Sequence, residues 1–230
     1  MSVFAKSRRS RSMITLDKHN VSVAYRLSEI AGRLGKPATS LSRPLARLID
    51  LGLVRRDLPF GAAPRSSKRS AYRIADPFLR FWFRFVEPNR SRLEARLLEA
   101  VARDVERDFA LHVSGIFEDL VRQSVPRARY LGQDWGPAAS WWGPGRDGSA
   151  MEVDVVAESA DGRRLLVGEV KWSDEIDFAR ELGELRRKAA NLPPADGKEV
   201  QLALWARSPH RSRARDVAVF SVRDVLRALR

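Results

Sequence analysis

The chain contains no cysteine. That excludes disulfides, thiolate zinc sites and a cysteine nucleophile. Histidine is scarce: His19, His112 and His210 are the only 3 and stand far apart in sequence. A zinc centre and a Ser-His-Asp hydrolase are therefore disfavoured. No segment approaches the ~18 consecutive apolar residues of a membrane span. The opening MSVFAKSRRSRS lacks the apolar core of a secretory signal. The expectation is a cytoplasmic protein with no membrane partner. No G-x-x-x-x-G-K-S/T stretch occurs, so the chain is not expected to hydrolyse ATP by itself.

Acidic residues are also in deficit. Lys and Arg number 42 against 29 Asp and Glu, a formal charge of +13. This suits a polyanion partner, most simply DNA. Arginine outnumbers lysine heavily, so an arginine-preferring genome supplies a second reason for the charge. With 230 residues and 44% hydrophobic content, the chain can bury one large core or two small ones.

Residues 1–20 read as a basic disordered tail. Residues 21–75 read as a winged helix-turn-helix. Leu27, Ile30, Ala31 and Leu34 form one helical face, closed by Gly35. Leu41, Leu45, Leu48 and Ile49 form the next. Pro44 sits best in a first turn, which places the second helix start at Ser42. Strands at 53–57 and 70–74 would make the wing. Arg43 and Arg47 lie off the apolar face. With Arg65, Lys68 and Arg69 of the wing loop they are the candidate nucleic-acid contacts. The same unit serves elsewhere as a protein–protein module, and both uses stay open.

Residues 76–108 read as a helical linker region. Asp76 can cap a helix that Pro77 begins. Phe78, Leu79, Phe81, Trp82, Phe83, Phe85 and Val86 leave only Arg80 and Arg84 polar, so this helix is expected to be buried nearly all round. Residues 109–230 read as an α/β domain: a helix through Val121, a tryptophan-bearing edge strand near Trp141 and Trp142, a hairpin, an amphipathic helix at 174–190, two more strands and a terminal helix.

The hairpin MEVDVVAESADGRRLLVGEVKW (151–172) holds the chemistry. Val153, Val155 and Ala157 alternate with Glu152, Asp154 and Val156, and Ala160-Asp161-Gly162 is the turn. Glu169 and Lys171, two apart, leave one face of the second strand. Pairing brings Asp154 opposite them. Two carboxylates and an ammonium in one patch suit Mg²⁺, with the lysine activating water or stabilising charge on phosphate. A solvated surface ion pair is the plainer alternative. Against it, Leu165, Leu166, Val167 and Val170 make the strand read as buried.

Asp154 followed by Glu169-Val170-Lys171 resembles the signature of the PD-(D/E)XK nuclease superfamily, with Val153 standing where the name has proline. That resemblance implies a restriction-endonuclease-like core, Mg²⁺ held by Asp154 and Glu169, and Lys171 as the catalytic lysine. Glu118, in the preceding helix, matches the superfamily's additional metal-binding glutamate; from the residues alone it points either at the hairpin or at solvent. SAYRIADPFLRFWFRFVEPNR, SWWG, EVDVVA and GEVKW together resemble the C-terminal region of archaeal-type AAA/STAND ATPases, a winged helix followed by a nuclease-like domain of unassigned function. With no ATPase module in the sequence, this resemblance leaves open a stand-alone remnant, a truncated gene or a piece that works with an ATPase in trans. It also leaves open a catalytically inactive module that binds DNA or protein.

Overall fold

The computed structural model describes residues 24–65, 69–173, 175–208, 214 and 216–230. The basic tail and Lys68 lie outside the described residues.

The N-terminal unit is small. Helix α1 (Leu27–Leu34) ends at Gly35, whose φ of 59° only glycine adopts freely, and α2 (Ala38–Asp50) follows. Ala31, Leu41 and Leu45 form its buried cluster, with Leu27, Ile30, Val54 and Tyr72 packed around them. Strands β1 (Val54–Asp57) and β2 (Ala71–Ile74) form an antiparallel pair, and Tyr25 bridges to Tyr72. Helix α2 starts at Ala38, four residues before the expected Ser42, so Pro44 lies inside it. The proline removes one bond, to the Ser40 carbonyl. Ser40 is exposed, so water can satisfy that carbonyl.

The aromatic helix inverts the expectation. Asp76 does cap α3 (Pro77–Phe81), accepting from the Phe78 and Leu79 amides at 2.6 and 3.2 Å. But Phe78 is 64% exposed, and Trp82 and Phe83 are exposed too, while Arg80 and Arg84 are buried. Arg80 is drawn inward by partners: Nη2 reaches the Asp119 carboxylate at 2.8 Å, and Nε donates to the Ile74 carbonyl at 2.8 Å. These contacts at Nε and Nη2 offset much of the cost of burying the guanidinium, whose Nη1 stays without a partner among the described residues. The chain continues through a π-turn (Trp82–Val86) and a short 3₁₀ turn containing Pro88 into α4 (Arg90–Glu94). Helix α5 (Leu98–Ser124) then runs unbroken across position 108, where a boundary was expected.

The C-terminal unit is a mixed five-stranded sheet ordered β3 (Ala139–Pro144), β4 (Ala150–Glu158), β5 (Arg164–Lys171), β6 (Glu199–Ala206), β7 (Val217–Ser221). The first three strands pair antiparallel, and β5–β6 and β6–β7 pair parallel. Helix α6 (Phe178–Asn191) supplies the crossover between β5 and β6, and α7 (Val222–Ala228) ends the chain. One face buries Val155, Ala157, Leu166 and Trp205 against Phe117 and Val121 of α5 and Val225 of α7. The other buries Val153, Val156, Leu165 and Val167 against Leu182, Leu185 and Ala189 of α6. The architecture is mixed α and β, with the sheet between helical layers.

Candidate active site where β4 and β5 part

Strict alternation along β4 would put Val153 and Val155 on one face. They lie on opposite faces instead. The cause is a bulge: Trp141 pairs with Val153 and Ala139 with Val156, three residues of β4 against two of β3. Asp154 sits inside it. Regular pairing of β4 with β5 ends at Val155–Gly168. Beyond that point the Asp154 carboxylate replaces the main chain, accepting from the Val170 amide at 2.9 Å. The Asp154 carbonyl accepts from Arg122 Nη1 at 2.8 Å.

Glu169 and Lys171 project on the α6 side of β5, as their spacing predicts. Glu169 is only 4% exposed. Its Oε1 takes Lys188 Nζ at 2.7 Å and its Oε2 lies 3.7 Å from Lys171 Nζ. Lys171 also meets Glu181 at 2.9 Å. Glu181 and Lys188 stand two turns apart on α6, flanking its buried Leu182–Leu185–Ala189 stripe. Neither was singled out from sequence. Their spacing of seven beside an apolar stripe was the available signal, but nothing in it points to β5.

Glu118, on α5 at the opposite face of the sheet, is 32% exposed in its side chain, lies 3.6 Å from Arg122 Nη2 and feels the Asp154 charge. Burial first, then the Asp154 charge, pushes Glu118 up to about 7 against the pull of Arg122. Burial and Asp154 likewise push Glu169 up to about 7, against Lys188. Glu152, paired across from Trp142 on the edge strand, is raised by the same two causes. Lys171 moves up despite its burial, because Glu181 and Glu169 favour its charged form. Burial, and after it the Asp154 charge, thus raises the proton affinity of three glutamates at one end of the sheet, the pattern of a site that a cation would favour. Among the described residues no three His, Asp or Glu side chains form a ready metal-holding group.

The expected nucleic-acid contacts divide. Arg43 and Arg47 are exposed on α2, and Arg65 is exposed in the loop between β1 and β2. Arg69 is committed inward instead: Nη2 donates to the Trp142 carbonyl and the guanidinium lies 5.7 Å from the Trp141 ring centroid. It fastens the start of β2 to the edge strand β3.

Residues 82–188 match a family described as archaea bacterial proteins of unknown function. The matched segment contains Glu118, Asp154, Glu169, Lys171 and Lys188. The chain is also similar to an uncharacterized protein of Methanocaldococcus jannaschii, 25% identical over 205 residues. Those residues are 87% of this chain and 45% of that protein, so the chain spans less than half of its relative.

Proposed function

We propose that the C-terminal unit is a PD-(D/E)XK-type domain that hydrolyses phosphodiester bonds with Mg²⁺, and that the N-terminal unit is a winged helix presenting Arg43, Arg47 and Arg65 to DNA. The observation that carries this reading is the bulge at Asp154. It delivers the carboxylate to the end of β5 where Glu169 and Lys171 project. The donor set fits a hard cation: Asp154 and Glu169 as carboxylate ligands, with water and a phosphate oxygen completing the shell. Glu118 lies on the α5 side as a further carboxylate. The metal would supply charge neutralisation and a water of lowered pKa. Lys171, held charged, would stabilise negative charge developing on phosphate, and Lys188 would orient Glu169.

The same geometry offers a second reading. The 2.7 Å Lys188–Glu169 contact satisfies a carboxylate that catalysis would need. The exposed Phe78, Trp82 and Phe83 suit a protein partner, such as an ATPase acting in trans. On that reading the domain is an inactive binding module. Cleavage of plasmid and branched DNA with Mg²⁺ or Mn²⁺, comparing wild type with Asp154→Ala, separates the two. Metal-dependent cleavage lost in the variant supports the nuclease. Salt-sensitive DNA binding without cleavage in either protein supports the module.

A further inference from the structure

A second concavity lies between the N-terminal unit and the sheet domain, with a volume of about 460 Å³. Arg55, Arg56 and Arg73 of the β1–β2 pair line one wall; Arg122, Gln123 and Arg127 line the other. The lining carries five arginines and two carboxylates, Asp57 and Asp119, and Glu118 lies 3.6 Å from Arg122, so the arginines outnumber the acids that hold them.

The wall is built rather than merely basic. Asp119 is buried and fixes four guanidinium groups: Arg55 at 2.7 Å, Arg73 at 3.1 Å, Arg80 at 2.8 Å and Arg122 at 2.8 Å. Asp57 holds Arg55 at 2.8 Å and Arg73 at 2.5 Å. Arg56 is steadied by Ser70 Oγ at 2.8 Å and the Pro64 carbonyl at 3.0 Å. Burial, helped by the charges of Arg55 and Arg122, lowers the proton affinity of Arg73 even beside two carboxylates. A net-positive wall already ordered by internal carboxylates loses little side-chain freedom on meeting an anion. Forked guanidinium donors match phosphate oxygens, and the volume suits a mononucleotide.

We propose that this arginine-walled pocket binds a phosphate group, contributed by a free nucleotide or by a nucleic-acid backbone. It is distinct from the acid cluster, although Arg122 bonds to both and the Arg73 charge also reaches Glu118 and Glu152. The proposal stands without the cleavage reading, because binding needs neither Mg²⁺ nor the acids.

The test is titration calorimetry on the full chain at low salt without divalent metal, with pyrophosphate, AMP and a short single-stranded oligodeoxynucleotide as probes. Arg127 is exposed at the rim and takes no part in the Asp57 and Asp119 ion pairs that hold the wall, so Arg127→Ala should fold normally. It should weaken the bound probe on the order of tenfold, the loss expected for one charge-assisted contact. Arg180→Ala, an equally exposed site on α6, should change nothing. Binding of pyrophosphate and AMP identifies a nucleotide site. Binding of the oligonucleotide alone, with a salt slope reduced by about 1 in Arg127→Ala, identifies a backbone site. Absence of binding by all three probes overturns the proposal, as does equal weakening by both substitutions. Asp154→Asn should leave the affinity intact, so failure here and failure of the cleavage reading are told apart.

Discussion

Arg122 donates from one guanidinium nitrogen to the Asp154 carbonyl and from the other to the Asp119 carboxylate, each at 2.8 Å. One side chain therefore ties the bulged strand of the acid cluster to the ion network under the N-terminal unit. Lysine cannot span both acceptors with the same fork geometry. Arg122→Lys should lose about 1 kcal/mol through the lost bond to the half-buried Asp154 carbonyl. Urea denaturation would measure this, and wild-type stability in the variant would show that the bridge is dispensable.

Asp119 is the more costly residue to remove. Burial alone would raise its pKa, yet Arg73, Arg122 and Arg55 hold it well below the usual carboxylate range. Asp119→Ala would leave four close guanidinium groups without their common acceptor. A loss of about 3–5 kcal/mol is expected, the range for breaking a buried ion pair from one side. Breaking the exposed Arg90–Glu94 pair by Glu94→Ala should cost under about 1 kcal/mol in the same assay.

The acid cluster should make stability fall as pH rises. Glu118 and Glu169 are both raised from 4.5 to about 7 in the folded chain. Between those values the folded state binds more protons than the unfolded one, so unfolding free energy decreases with pH across that window. The loss should be on the order of a few kcal/mol. Thermal unfolding in EDTA from pH 4.5 to 8 would follow it. Asp154→Asn removes the charge that raises both glutamates but keeps an oxygen for the Val170 amide. It should flatten the dependence and raise the melting temperature at pH 8. An unchanged slope would mean that Asp154 does not couple to the pair.

The sequence revealed the hairpin because an alternating run and a continuous apolar run on either side of Asp161-Gly162 have few other uses. It could not reveal the bulge, since Val153, Val155 and Val156 are all apolar and either register buries them. Lys188 and Glu181 escaped notice because their link to β5 is tertiary. The aromatic helix was inverted for a related reason. Counting aromatics assumes that arginine stays outside, whereas Asp119, far away in sequence, provides Arg80 with a buried acceptor. Pro44 misled by local cost alone, which an exposed Ser40 carbonyl reduces.

Gly168 precedes Glu169 and faces the indole of Trp205, which is fully buried. A Cβ there would lie 2.4 Å from Trp205 Cζ3 and 2.8 Å from the Ala203 carbonyl oxygen. Neither neighbour can retreat easily, one being packed in the core and the other being main chain of the adjacent strand. Gly168→Ala should cost at least the ~1–3 kcal/mol typical of overpacking, and it should shift β5 and with it Glu169 and Lys171. Gly183, exposed within α6, meets nothing within 4 Å of such an atom. Gly183→Ala should instead stabilise by about 0.5–1 kcal/mol, through better helix propensity and a less flexible unfolded chain. Urea midpoints that move in opposite directions for the two alanines would establish close packing of β5 against Trp205; a neutral Gly168→Ala would show that this edge of the candidate site is loosely packed.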